Sequence, residues 1–167
     1  MMIKLLMELI RMFLNRPRIP YPEESADFSA TLESVDVHDV IDSWYDTYKP
    51  PISYFLASIV IEVSLKYPYA GCCEQAEKHI YLRPEYANAG TLAHEIAHVV
   101  YYILTDEQKQ AFFDAYKLAL ETDSLLQLLY SKKNQSMYNT TEIHGEIYRY
   151  LGNKLPKELY IFYPYLI

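Results

Sequence analysis

Thr91-Leu92-Ala93-His94-Glu95-Ile96-Ala97-His98-Val99-Val100-Tyr101-Tyr102-Ile103 carries two imidazoles four residues apart, with a carboxylate directly after the first. On an α-helix that spacing stacks both rings on one face. The remaining positions are apolar at helical spacing all the way round, so the segment predicts a helix buried on most of its circumference. Gly90 and Thr91 offer a start. Thr105 closes the run and reads as the cap of a following helix, with Gln108 three residues on completing a capping box.

The residue types explain one another chemically. Neutral imidazole suits borderline-soft Zn²⁺, and a site with three protein ligands keeps a fourth corner for a water whose pKa the metal lowers to about 7. His94 and His98 are then two metal ligands. Glu95 is the general base that takes a proton from the attacking water and passes it to the leaving amine. This is the HExxH arrangement found in zinc peptidases, and it sets the expectation of one Zn²⁺ per chain.

The chain's 167 residues suffice for one domain with a proper core. A net charge of −7 without a basic run argues against nucleic acid as a partner. The only cysteines, Cys72 and Cys73, are adjacent, which suits neither an ordinary disulfide nor a Cys-x-x-Cys metal knuckle, so nothing demands an oxidising compartment. From Met1 to Asn15 only Lys4, Glu8, Arg11 and Asn15 interrupt apolar sequence, and they fall on one narrow stripe. Such a helix must bury most of its surface, against the domain, a second copy of the chain or a membrane surface. It is too short to span a bilayer, and its charges interrupt what would be the core of a signal peptide, so a cytoplasmic location is expected. The prolines between Asn15 and Pro22 make a connector, giving an N-terminal helix and linker over 1–22 and a catalytic domain over 23–167.

Further along, Asp36 to Tyr48 has a helical apolar stripe ended by Pro50 and Pro51, and Ile59 to Tyr67 changes to strand alternation. After a turn around Pro68 to Gly71, His79 to Leu82 reads as a second strand beside the helix of the paired histidines. Helices are predicted over Asp106 to about Glu121, Asp123 to about Tyr130 behind a Thr122 cap, Glu142 to Tyr150 and Pro156 to Tyr163, with a polar loop from Ser131 to Asn139. The class is α+β: a mainly helical domain with a small sheet beside the active-site helix.

The third ligand has to come from elsewhere, because Val99 to Gln108 holds neither the glycine nor the third histidine of metzincins. Glu142-Ile143-His144-Gly145-Glu146 is the remaining ionisable cluster. Glu142 and Glu146 share one helix face and His144 points away from it. His94 to His98, followed by Asn139-Thr140-Thr141-Glu142-Ile143-His144-Gly145-Glu146-Ile147-Tyr148, resembles the gluzincin layout of the minigluzincins and of the lethal-factor catalytic domain. The resemblance covers His79 to Ile167 and finds no counterpart for residues 1–35. It implies a zincin-like domain with Glu142 as third zinc ligand, Glu146 as a carboxylate behind the ligands and Gly145 as the small residue that lets the helices approach. It also implies Tyr138 as the hydroxyl that steadies an oxyanion, although its offset from Glu142 is shorter than in lethal factor.

The resemblance further implies a protein or peptide substrate, bound as an added strand along a rim running from Lys78 to Leu82, with Ile80, Tyr81 and Leu82 in contact. Minigluzincins are held latent by their own C-terminal stretch, and this chain ends in the apolar run Leu159 to Ile167, which fits either self-inhibition or core packing. Two other readings stand beside a zinc endopeptidase: a regulatory peptidase of the type that cleaves phage-like repressors, and an inactive zinc-binding interaction module. The span from His98 to Glu142 is long for the first, and the second has no use for Glu95.

Overall fold

The structure, a computed structural model, describes residues 35–133 and 139–167. Helix α1 (Val37–Tyr48) starts where Asp36 accepts a hydrogen bond from the His38 N–H, and it ends at Lys49, whose φ of 50° leaves the helical region. A single turn, α2 (Tyr54–Ala57), follows under a Ser53 cap. The strands are β1 (Val60–Val63), β2 (Gly71–Glu74) and β3 (His79–Leu82). Then come α3 (Ala89–Tyr102), α4 (Asp106–Thr122), α5 (Ser124–Lys133) and α6 (Thr140–Leu151), and the chain closes with short 3₁₀ turns at Gly152–Lys154 and Lys157–Phe162. The class is α+β, mostly helical with a small sheet. None of the described helices is long and apolar enough to cross a membrane.

Most elements lie where their local chemistry predicts. Asn88 rather than Gly90 or Thr91 caps α3, its side-chain oxygen accepting from the Thr91 N–H at 3.0 Å. The capping box of α4 is complete, with Thr105 and Gln108 bonding reciprocally. The cap of α5 is Asp123, whose Oδ1 accepts from the N–H groups of Leu125 and Leu126, and not Thr122. A carboxylate with two orphan N–H groups in reach outcompetes the hydroxyl before it.

The sheet departs from the sequence reading in one consequential way. Its order is β1-β3-β2, with β1 parallel and β2 antiparallel to β3. The strand predicted over Ile59 to Tyr67 stops at Val63, and β2 occupies residues read as a turn and its sequel. Strand β3 is therefore central, with both edges paired, and it cannot accept a substrate as a further strand. Ile80 and Leu82 are fully buried and Tyr81 nearly so. The placement of the rim on Lys78 to Leu82 is corrected accordingly: among the described strands, β2 is the free edge on the α3 side.

Helix α3 is the axle of the fold, touching α6, α1, β2 and β3. Leu92, Ala93, Ala97, Val99 and Val100 have no exposed surface at all, as an all-round apolar helix requires. The C-terminal run joins the same core. Leu159, Phe162, Tyr163 and Leu166 are buried, and Tyr163 stacks on His144 with ring centroids 3.9 Å apart. The segment considered as a cleft cover thus packs on the His144 side of α6. The helix expected over Met1 to Asn15, its connector, the domain boundary at residue 22 and Tyr138 all lie outside the described residues.

Candidate metal centre

Two antiparallel helices build the site. Along their line of contact His98 meets Glu142, His94 meets Gly145 and Glu146, and Gly90 meets Arg149. Helix α6 starts where Asn139 accepts from the Thr141 N–H, so Glu142 falls in its first turn and Glu146 one turn later on the same face.

His94 Nε2 and His98 Nε2 are 2.9 Å apart. Glu142 faces both, with Oε2 3.3 Å from His94 Nε2 and Oε1 3.4 Å from His98 Nε2. Among the described residues these three form a group compatible with a metal ion. Bonds of about 2.0–2.1 Å in a tetrahedron put ligand atoms about 3.3 Å apart. Both nitrogen–oxygen contacts have about that length but end on different oxygens of Glu142, so seating one oxygen against both rings needs the carboxylate to turn and the rings to part by about a few tenths of an ångström. The donor set, two imidazoles and a carboxylate, is that of catalytic zinc sites with an open corner.

Behind the His94 ring, Glu146 Oε1 lies 3.3 Å from Nδ1, a placement of the kind that orients an imidazole toward a metal. Glu146 is 5% exposed, and Arg149 Nη1 stands 3.8 Å from the same oxygen. Gly145 sits under the His94 ring: a Cβ there would be 2.9 Å from both Cε1 and Nδ1. A side chain at 145 would push the ring out of line, which is the physical content of a small residue at that place.

Glu95 is 6% exposed and points to the sheet rather than to α6. Gly71 of β2 faces it so closely that a Cβ on Gly71 would be 2.5 Å from Glu95 Oε1. Sequence reasoning missed Gly71. In a chain of four glycines, a glycine inside a strand is a signal of close approach that could have found it. Burial raises the Glu95 pKa, opposed by the charges of His94, His98 and Arg149.

The electrostatics of the cluster are mutual. Burial alone would lower the His94 pKa, but Glu142 and Glu146 outweigh it and raise the value to about 9. Glu142 is held well below the usual carboxylate range by His94 and His98. The two carboxylates thus favour a positive charge beside them, which a proton on His94 supplies. His144 belongs to none of this. Its Nε2–H donates to the Phe162 carbonyl at 2.8 Å, its backbone carbonyl accepts from the Tyr163 hydroxyl at 3.0 Å, and burial pushes its pKa down to about 3.

The free edge of β2 runs past this cluster. Arg83 N–H bonds the Ala70 carbonyl at 3.0 Å. Since antiparallel pairs alternate, Cys72 and Glu74 bond to β3, while Gly71 and Cys73 turn their N–H and C=O groups outward. Cys72 and Cys73 are free thiols. Comparisons with protein-family models, with curated proteins and with solved structures find no match for this chain.

Proposed function

We propose that the chain is a zinc-dependent endopeptidase of gluzincin type, with His94, His98 and Glu142 as zinc ligands and Glu95 as general base. The observation that carries this reading is the convergence of two imidazole nitrogens 2.9 Å apart on the two carboxylate oxygens of Glu142, one at 3.3 Å from His94 and the other at 3.4 Å from His98, with Glu95 buried on the same helix. A zinc ion there would activate a water and polarise the scissile carbonyl.

The chain's own residues do the rest. Glu95, desolvated and so a stronger base than a surface carboxylate, takes the proton of the attacking water and delivers it to the leaving amine. Glu146 holds the His94 ring through Nδ1. An extended peptide adds to the outward backbone groups of Gly71 and Cys73, which brings a scissile bond past Glu95. Tyr138 keeps its part as oxyanion donor on the resemblance alone.

Glu95→Gln tests the reading. The variant retains one zinc per chain, as the parent does, and loses cleavage of a denatured general substrate such as casein. Equal cleavage by variant and parent, or a parent that takes up no zinc, defeats the proposal.

A further inference from the structure

Arg149 pairs with neither His94, His98 nor Glu142, yet it is built into the same stripe of α6, one turn beyond Glu146. Its Nη1 lies 3.8 Å from the Glu146 oxygen that faces His94 Nδ1. Its stem crosses the first turn of α3, where a Cβ on Gly90 would stand 3.6 Å from Arg149 Nε and 3.9 Å from Cγ. Its backbone is fixed as well: the Tyr48 hydroxyl donates to the Arg149 carbonyl at 2.6 Å, and Asn153 Nδ2 donates to the Tyr48 carbonyl at 2.7 Å. The side chain is 28% exposed, so it is not a solvated surface arginine.

The placement runs against the local field. The first turn of a helix presents positive partial charge, and a cation beside it is unfavourable. A buried carboxylate such as Glu146 is costly in turn unless cations stand against it. The two problems cancel when Arg149 and Glu146 face one another. Glu146 is then held in one orientation, which is what an acceptor behind a metal-binding imidazole requires.

We infer that Arg149 is a positioning residue of the metal centre, holding the Glu146 carboxylate so that it fixes the His94 ring, and thereby setting metal affinity without touching the metal. This rests on the zinc reading given above. The test compares the parent with Arg149→Gln, Arg149→Lys, Glu146→Gln and the double variant, each stripped of metal and refilled. Zinc affinity is read by competition with a chromophoric chelator, and ligand geometry by the visible bands of the Co²⁺ form.

Arg149→Gln is expected to weaken zinc binding about tenfold and to move the cobalt bands. Arg149→Lys falls between it and the parent, because lysine keeps the charge but not the planar fork. The double variant binds no more weakly than Glu146→Gln, since the two residues act on His94 in series. Parent-like affinity and bands in Arg149→Gln overturn the inference, as do losses that multiply in the double variant. If Arg149→Gln does not fold, Arg149→Lys decides: its cobalt bands must move toward those of Glu146→Gln, and bands identical to the parent's overturn it. A parent that binds no zinc would sink the zinc reading itself, which a zinc-binding parent with indifferent variants would leave intact.

Discussion

Gly71 and Glu95 meet through a missing side chain: a Cβ on Gly71 would be 2.5 Å from Glu95 Oε1, 2.8 Å from Cγ and 2.9 Å from Cδ. The edge strand and the α3 helix can lie this close only because residue 71 has no side chain, and Glu95 is buried against the sheet.

Gly71→Ala should therefore displace Glu95 and leave the ligands alone. The expected result is full zinc uptake with cleavage lowered about 10–100-fold, the scale of a misplaced catalytic group. Metal content and casein turnover on one preparation give the answer. Unchanged turnover would mean that Glu95 finds an equivalent position and that the contact does not matter.

Glu142 and Glu146 share a face, and the proposed zinc site takes only Glu142 as its third ligand. Glu142 faces both Nε2 atoms, whereas Glu146 faces His94 Nδ1, on the far side of that ring. Glu142→Ala should lose zinc on dialysis against a mild chelator, and Glu146→Gln should weaken binding by about 10–100-fold while keeping the stoichiometry. The reverse order would exchange their roles.

Metal-free stability should depend on pH with a definite sign. His94 is raised from 6.5 to about 9 in the fold, so its contribution is complete below pH 6.5 and is lost as the pH climbs to 9. His144, lowered from 6.5 to about 3, works oppositely: its contribution is present above pH 6.5 and is lost as the pH falls from there toward 3. Glu142, held below its ordinary 4.5, adds a further loss only under that value. The thermal midpoint of the stripped protein should thus peak near pH 6.5. Zinc should abolish the alkaline fall, because a ligand imidazole carries no proton. A stripped protein whose midpoint rises from pH 6.5 to 9 contradicts the assignment of His94.

Leu166 is fully buried, and Tyr163 is stacked on His144 at an interplanar angle of 12°. Leu166→Ala should cost about 2–5 kcal/mol in urea unfolding, the range for emptying a packed aliphatic site. Zinc content should not change. Higher cleavage with unaltered stability would instead place the tail in the cleft.

Local chemistry was readable to within a residue or two wherever the chain carries its own punctuation. Thr105 caps the helix it was expected to open, the helix read from Asp36 starts one residue on at Val37, and His79 to Leu82 is a strand with those very limits. Strand β2 was not readable. Gly71-Cys72-Cys73-Glu74 has no alternation of apolar and polar residues, and it is extended because β3 supplies its hydrogen bonds. The resemblance put the rim on β3, and the sequence could not correct it, because a strand's sequence shows that it pairs but not on how many sides.

The order of residues along α3 and α6 determined which side chains share a face, since helical geometry converts spacing directly into direction. That much gave His94 with His98, Glu142 with Glu146, and His144 turned away. Only the packing of the two helices decided that Glu142 reaches both rings, that Gly145 lies under one of them and that Arg149 stands behind Glu146. Only sheet order put Gly71 against Glu95. Contacts between distant segments depend on how whole elements seat against one another, and no short stretch of sequence carries that by itself.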